Sequence, residues 1–240
     1  MITIRKGVKM TTKEKAERKA AEIIIDRLLK YVDKDPQSNI LKLLNAAEKL
    51  LGGIFPEKNL AAMKKVVEKG EGVYYNYAMN ILNEPDRGML KNMLLSMGLG
   101  AGVNGTKAVR ANRDKYKCNI PFLILMDPTS ACNCHCKGCW AAEYGHKESL
   151  TYDEMSSVVS QCRELGTHFF MFTGGEPLMR KNDLIKLCKE YRDCAFLAFT
   201  NGTLVDEKFC DDLLEVGNMT LAISIEGSEE TTDDRRGNGM

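Results

Sequence analysis

Four short apolar runs in the second half of the chain set the strongest limit on its fold. They occupy 122–126 (FLILM), 168–172 (HFFMF), 195–199 (AFLAF) and 220–225 (TLAISI). Each has the length of a buried strand. Stretches with helical patterning at about 151–165, 180–191 and 205–215 fall between them. Apolar strands alternating with helices predict an α/β fold with a parallel sheet, and such sheets bind ligands at the carboxyl ends of their strands.

The segment after each run is unusual in composition. After the first comes Asp127-Pro128 and then Thr129-Ser-Ala-Cys132-Asn133-Cys134-His135-Cys136-Lys137-Gly138-Cys139-Trp140. Four thiols within eight residues on a loop are no packing solution and must share something, and three explanations compete. Disulfides between such close neighbours strain the bond, and a reducing compartment would open them. A structural zinc site joins two separated cysteine pairs, and no second pair is present downstream: Cys162, Cys188, Cys194 and Cys210 stand singly. An iron–sulfur cluster suits soft thiolates. The second run delivers Thr173-Gly174-Gly175-Glu176-Pro177, the third Thr200-Asn201-Gly202, and the fourth Glu226-Gly227. Glycines there let backbone approach a ligand closely, and Glu176 offers a carboxylate to an ammonium.

Cys132-x3-Cys136-x2-Cys139, with Asn after the first cysteine, resembles the cluster loop of the radical S-adenosylmethionine (radical SAM) enzymes. The resemblance covers roughly 118–240 and implies the first four strand–helix units of a partial (βα)6 barrel. It implies that Cys132, Cys136 and Cys139 hold three irons of a [4Fe-4S] cluster and leave the fourth open for S-adenosylmethionine. Reductive cleavage of that cofactor would then give a 5′-deoxyadenosyl radical that abstracts hydrogen from substrate. Gly174, Gly175, Glu176 and Pro177 match the GGEP motif, which holds the methionine amino group. The equivalents of Asn201, Ser224 and Glu226 lie around the cofactor, and the backbone at Gly138 meets the adenine. Arg236 stands where relatives place an arginine on the methionine carboxylate; Arg235 is the alternative, and a solvated charge cluster the plain explanation. Two departures stand out. Cys134 replaces an apolar residue, as a small buried hydrophobe or an alternative ligand, and Gly138 replaces an aromatic, with Trp140 beside the last cysteine. Glu143-Tyr144-Gly145 are placed to reach substrate, and no residue is singled out for the substrate step. GGEP, Thr-Asn-Gly and Ser-Ile-Glu-Gly together resemble the branch that often modifies peptides and proteins, with a flavodoxin or ferredoxin as reductant. The rivals are a non-catalytic zinc or iron–sulfur protein and an electron carrier using Cys134 as fourth ligand.

The first half has another character. Residues 1–117 hold 23 Lys+Arg against 13 Asp+Glu, residues 118–240 hold 11 against 20, and all nine cysteines fall in the latter. The step predicts two domains, 1–117 and 118–240. Thr11 with Glu14 has capping-box spacing, and a helix runs on through Ala16, Ala20, Ile24, Leu28 and Tyr31. Pro36 opens a second that stops at Gly52-Gly53, and Pro56 a third. Further patterns at 73–83, 86–97 and 105–116 complete an all-α bundle of five or six helices. Its positive charge suits docking on the acidic half or an acidic peptide. Aromatic–basic interleaving of the nucleic-acid kind is confined to Tyr74-Tyr75-Asn76-Tyr77.

With 44% hydrophobic and 28% charged residues the chain has globular composition. No apolar run approaches the roughly 20 residues that cross a bilayer, and the N-terminus lacks the apolar core of a secretory signal. A soluble, cytoplasmic protein without membrane partners is expected. The ending, Gly237-Asn-Gly-Met240, falls beside the presumed site after the fourth strand. The expectation is a truncated barrel that binds a cluster and turns over poorly.

Overall fold

A computed structural model describes residues 10–50, 57–141, 145 and 147–239. The expected helix boundaries at Gly52-Gly53 and Pro56, and the residues Glu143 and Tyr144, lie outside these. The chain divides into two compact units, Thr11–Leu95 and a second that begins at Ser96.

The first unit is helical: α1 (Thr12–Val32), α2 (Pro36–Leu50), α3 (Glu57–Lys69), α4 (Val73–Asn83) and α5 (Arg87–Met93). Thr11 and Glu14 form the expected reciprocal capping box, which satisfies two amides that the first turn leaves unpaired. Leu29, Val32, Leu60, Val67 and Leu90 are the buried side chains from α1, α3 and α5. Asn39 Nδ2 donates to Tyr31 O at 2.7 Å, and Gln37 Nε2 to Val67 O at 2.9 Å, so polar groups fix how α2 meets its neighbours. This unit holds 15 Lys+Arg against 12 Asp+Glu. Much of the basic excess of 1–117 therefore lies elsewhere: residues 96–117 carry 5 against 1.

The pattern at 86–97 predicts a helix that ends there, yet a π-helix continues over Leu94–Gly105 into α6 (Thr106–Tyr116). Gly98, Gly100, Gly102 and Gly105 fall in this stretch, and without side chains they do not crowd its wider turns. Gly105 abuts Gly166 so closely that a Cβ on it would lie 2.6 Å from Gly166 O. That approach places α6 with the second unit, which is why the compact units part at Leu95 while charge and cysteine content change near 117.

The second unit carries β1 (Leu123–Met126), α7 (Tyr152–Leu165), β2 (Phe169–Phe172), a 3-10 turn (Pro177–Arg180), α8 (Lys181–Glu190), β3 (Ala195–Thr200), α9 (Glu207–Val216), β4 (Met219–Ile223) and α10 (Glu229–Arg236). The strands form one parallel sheet in the order β1-β2-β3-β4. This is the mixed α/β architecture expected from the sequence, with the four strands of a partial barrel. Register sets Ile124, Phe170, Phe196 and Met219 in one row and Met126, Phe172, Ala198 and Leu221 in the next. Met155 and Val159 of α7, Leu184 and Leu187 of α8, and Phe209 and Val216 of α9 cover that face. Each fully buried large side chain contributes roughly 1.5–3 kcal/mol, so this face is the main source of the unit's stability. On the other face Leu125 is 56% exposed and Phe199 39%. One element is additional: α10, after β4, has no counterpart among the helical stretches expected at about 151–165, 180–191 and 205–215. Ser228 caps it, accepting from Thr231 N, with Glu229 and Glu230 in its first turn and Arg235 and Arg236 in its last.

Among the described residues no helix is long and apolar enough to cross a membrane.

Candidate cofactor site

The cysteine loop leaves β1 and is closed at its base by a short antiparallel contact. Thr129 bridges Ser149, Ser130 N donates to Glu148 O at 2.8 Å, and Leu150 N to Pro128 O at 3.0 Å. The segment after β2 runs alongside. Thr173 N donates to Met126 O, Gly175 N to Thr129 O and Glu176 N to Ala131 O, at 3.0, 3.0 and 2.8 Å. Pairing between the first two strands thus continues past their ends, up to the residue before Cys132. Gly174 has φ 107°, and a Cβ there would sit 2.5 Å from Thr129 O; on Gly175 it would sit 2.2 Å from Ala131 O. The sequence assigns these glycines to a ligand's approach. The structure gives their missing side chains a different use, the passage of the cysteine loop's own backbone.

Glu176, only 2% exposed, joins three strand ends. Its Oε1 accepts from Leu178 N at 2.9 Å and from Thr200 Oγ1 at 2.7 Å, and its Oε2 accepts from Asn201 N at 2.8 Å. A carboxylate has about four acceptor positions. Three are filled from within the chain, which leaves one on Oε2 for an outside donor.

The carboxyl ends of all four strands converge on a cavity of about 190 Å³. Cys132, Cys136, Gly138 and Cys139 line it from the first loop, Gly174, Gly175 and Glu176 from the second, Asn201 from the third, and Ser224, Glu226 and Arg236 from the last. Eleven of the twelve residues that the sequence nominated therefore share one site. The twelfth, Pro177, does not line it; it is buried at the start of the 3-10 turn that Glu176 caps. Cys132, Cys136 and Cys139 are half-buried, and Cys134 is buried. Burial pushes the Cys132 thiol up; its backbone partner Cys134 pulls the other way, and Glu176, Cys136 and Cys139 add to the rise. Burial, with Cys132 and Cys136, pushes Cys134 up to about 11. Among the described residues no three His, Cys, Asp or Glu side chains gather as ligands of a single metal ion. An iron–sulfur cube takes one thiolate per iron, and three half-buried thiols on one cavity fit that donor pattern. Cys188 and Cys194 are buried in the core, Cys162 is half-buried, and Cys118 and Cys210 are exposed.

The last loop is tied by charge. Arg236 donates to Glu226 Oε1 through Nη2 at 2.5 Å and through Nε at 3.2 Å, and Arg235 pairs with Glu226 Oε2. The backbone closes the circle: Lys137 N donates to Arg235 O at 2.8 Å, and the Lys137 ammonium pairs with Asp234. Sequence reasoning missed this contact between α10 and the cysteine loop, although the capping residues of α10 were legible. Hydrogen bonds from Arg236 and then Arg235 hold Glu226 below the usual carboxylate range. A carboxylate depressed by folding adds stability above its unfolded range and loses it as pH falls. Wild type is therefore expected to exceed Glu226→Gln in denaturant midpoint at neutral pH, and the gap to close as pH falls below the usual carboxylate range. A gap independent of pH would contradict this.

Three similarities to known proteins accompany this geometry, beside a family match. Residues 126–240 match the family described as the Radical SAM superfamily. The chain is 31% identical over 148 residues to the Fe-coproporphyrin III synthase of Methanosarcina barkeri, covering 56% of this chain and 37% of that one. It is 33% identical over 121 residues to the PqqA peptide cyclase of Bradyrhizobium diazoefficiens, covering 48% and 31%. It is 33% identical over 125 residues to the GTP 3',8-cyclase of Clostridium perfringens, covering 49% and 38%. The chain spans about a third of the length of these relatives.

Proposed function

Because residues 126–240 are a radical SAM superfamily domain, we propose that the chain binds a [4Fe-4S] cluster and S-adenosylmethionine as part of a radical enzyme. The observation that supports this best is the convergence of Cys132, Cys136 and Cys139 with Glu176, Ser224 and Arg236 on one cavity. Together the two groups would supply one-electron cleavage of the sulfonium and a carbon radical for hydrogen abstraction. Cys132, Cys136 and Cys139 hold the cluster as thiolates, and their release of protons accompanies its binding. The free acceptor position on Glu176 Oε2 takes the methionine ammonium. Arg236, held in place by Glu226 through Nε and Nη2, would meet the methionine carboxylate with the guanidinium N–H groups that this pairing leaves over. Ser224, at the end of β4, and Asn201, at the end of β3, border the rest of the cofactor, and the backbone at Gly138 borders its base.

Peptide or protein is the proposed substrate class, and a flavodoxin or ferredoxin the proposed reductant. The combination of GGEP, Thr-Asn-Gly and Ser-Ile-Glu-Gly supports a peptide, as does the similarity to a PqqA peptide cyclase. The other two relatives bear the names of a coproporphyrin synthase and a GTP cyclase at comparable identity. The matched segment thus speaks for the shared radical chemistry more than for the substrate.

Electron paramagnetic resonance of anaerobically reconstituted, dithionite-reduced protein tests the reading. A [4Fe-4S] signal that shifts when S-adenosylmethionine is added is the expected result. A cluster indifferent to the cofactor would hand the case to a structural or electron-transfer role.

A further inference from the structure

The loop that must present three sulfurs to one cluster is anchored by a closed ring of side-chain hydrogen bonds. Asn201 Nδ2 donates to Asn133 Oδ1 at 2.9 Å, Asn133 Nδ2 to Thr203 Oγ1 at 2.7 Å, and Thr203 Oγ1 to Asn201 Oδ1 at 2.7 Å. The amide orientations are dictated by chemistry. Thr203 N–H donates only, and it lies 2.9 Å from Asn201 Oδ1. That oxygen must therefore face Thr203, which turns both hydrogens of Asn201 Nδ2 toward the cysteine loop. One goes to Asn133 and the other to Cys134 Sγ at 3.2 Å. Asn133 must in turn show its oxygen to Asn201 and its nitrogen to Thr203. The ring admits one arrangement, and in it Asn201 has both donors and both acceptor positions filled.

We propose that Asn133 and Thr203 are positioning residues of the cluster site. Through Asn201 they fix the stretch between Cys132 and Cys136 and hold the Cys134 sulfur on the Asn201 amide. Asn133 is flanked by Cys132 and Cys134, so fixing its side chain fixes the backbone of both neighbours. The anchor is itself rigid: Asn201 N is held by Glu176, whose N is held by Ala131 O, and Asn201 comes directly after β3. Asn133 and Thr203 are exposed, so neither is part of the core. The inference rests on Cys132, Cys136 and Cys139 being the ligands, but its first test does not.

That test is alkylation of the reduced, cluster-free chain with iodoacetamide, read by mass spectrometry at each cysteine. In wild type Cys118 and Cys210 are expected to react quickly, and Cys134, Cys188 and Cys194 slowly. Thr203→Val keeps the backbone donor and removes the hydroxyl, while Asn133→Ala opens the ring from the other side. Each is expected to speed alkylation of Cys134 about tenfold, the factor that one or two modest hydrogen bonds give in a local opening equilibrium. Cys188 and Cys194 should stay slow, and Thr203→Ser should restore protection. Unchanged Cys134 reactivity in both variants overturns the inference. So does a parallel rise at Cys188 and Cys194, which would make the ring a support of the whole unit. After reconstitution, Thr203→Val should give a heterogeneous cluster signal and Thr203→Ser a single one. A wild-type chain that shifts on adding S-adenosylmethionine while Cys134 reactivity ignores both variants sinks the positioning role alone. A wild type that takes up no iron sinks the cluster reading, and the positioning of cluster ligands with it.

Discussion

Gly175→Ala is expected to destabilise the second unit by about 3 kcal/mol and to abolish cluster incorporation. The added methyl would lie 2.2 Å from Ala131 O, 2.5 Å from Ser130 O and 2.6 Å from Ala131 C, all backbone atoms. A flexible side chain could swing aside, but these carbonyls belong to the segment that Gly175 N and Glu176 N grip through Thr129 O and Ala131 O. Relief requires parting the cysteine loop from the end of β2, which breaks those bonds and moves Cys132. Gly138→Ala is the control. A Cβ there meets nothing within 4 Å, so only its positive φ of 69° opposes the change, at a cost of about 1 kcal/mol. The denaturant midpoint and iron content of the two variants decide the matter. Equal effects would mean that backbone conformation, not the close passage of two chain segments, is what the glycine at 175 provides.

The contrast between these two glycines marks which parts of the site were legible in the sequence. Strands were readable because runs such as 195–199 are too short and too apolar for anything but a buried strand, and each begins within a residue of the observed β1, β2, β3 and β4. Helix α1 was readable from a local signal, the Thr11–Glu14 box, and α4 from its apolar spacing. The cysteine loop stood out through spacing alone. The partners of each group were not legible, because they come from across the sheet. Glu176 reads as a carboxylate free for an ammonium; Thr200 and Asn201, 24 and 25 residues on, fill two of its about four acceptor positions. Asn201 reads as a cofactor contact, yet its amide is engaged by Asn133, 68 residues earlier. Glu226 and Arg236 read as separate cofactor residues, and they are paired with each other. In each case the residue type announces an interaction, and only the fold says with whom. The π-helix at Leu94–Gly105 and the short α10 escaped for another reason. Glycines carry no hydrophobic period to read, and the eight polar residues of α10 bury no side chain.

Alanine at Cys132, Cys136 or Cys139 is expected to reduce iron and sulfide to background after anaerobic reconstitution, whereas Cys134→Ser retains both. Composition does not distinguish the four, since all are free thiols in one loop and all line one cavity. Geometry does. Cys134 is buried where the other three are half-buried, and its sulfur accepts from Asn201 Nδ2, whose position is set by Thr203 and by Glu176. Recruiting it to a cluster means breaking that contact and shifting a backbone whose neighbour, Asn133, is held from both ends of its amide. Cys132, Cys136 and Cys139 stay half-buried at the cavity wall, where their sulfurs can turn to a shared ligand. A three-thiolate set leaves one iron without a protein ligand, which is what binding of S-adenosylmethionine requires; a four-thiolate set closes it. The Cys134 variant therefore separates the two chemistries as well as the two ligand sets. Loss of the cluster in Cys134→Ser, with retention in one of the other three variants, would show that the loop re-forms around the fourth sulfur. The protein would then carry a closed cluster and be suited to electron transfer.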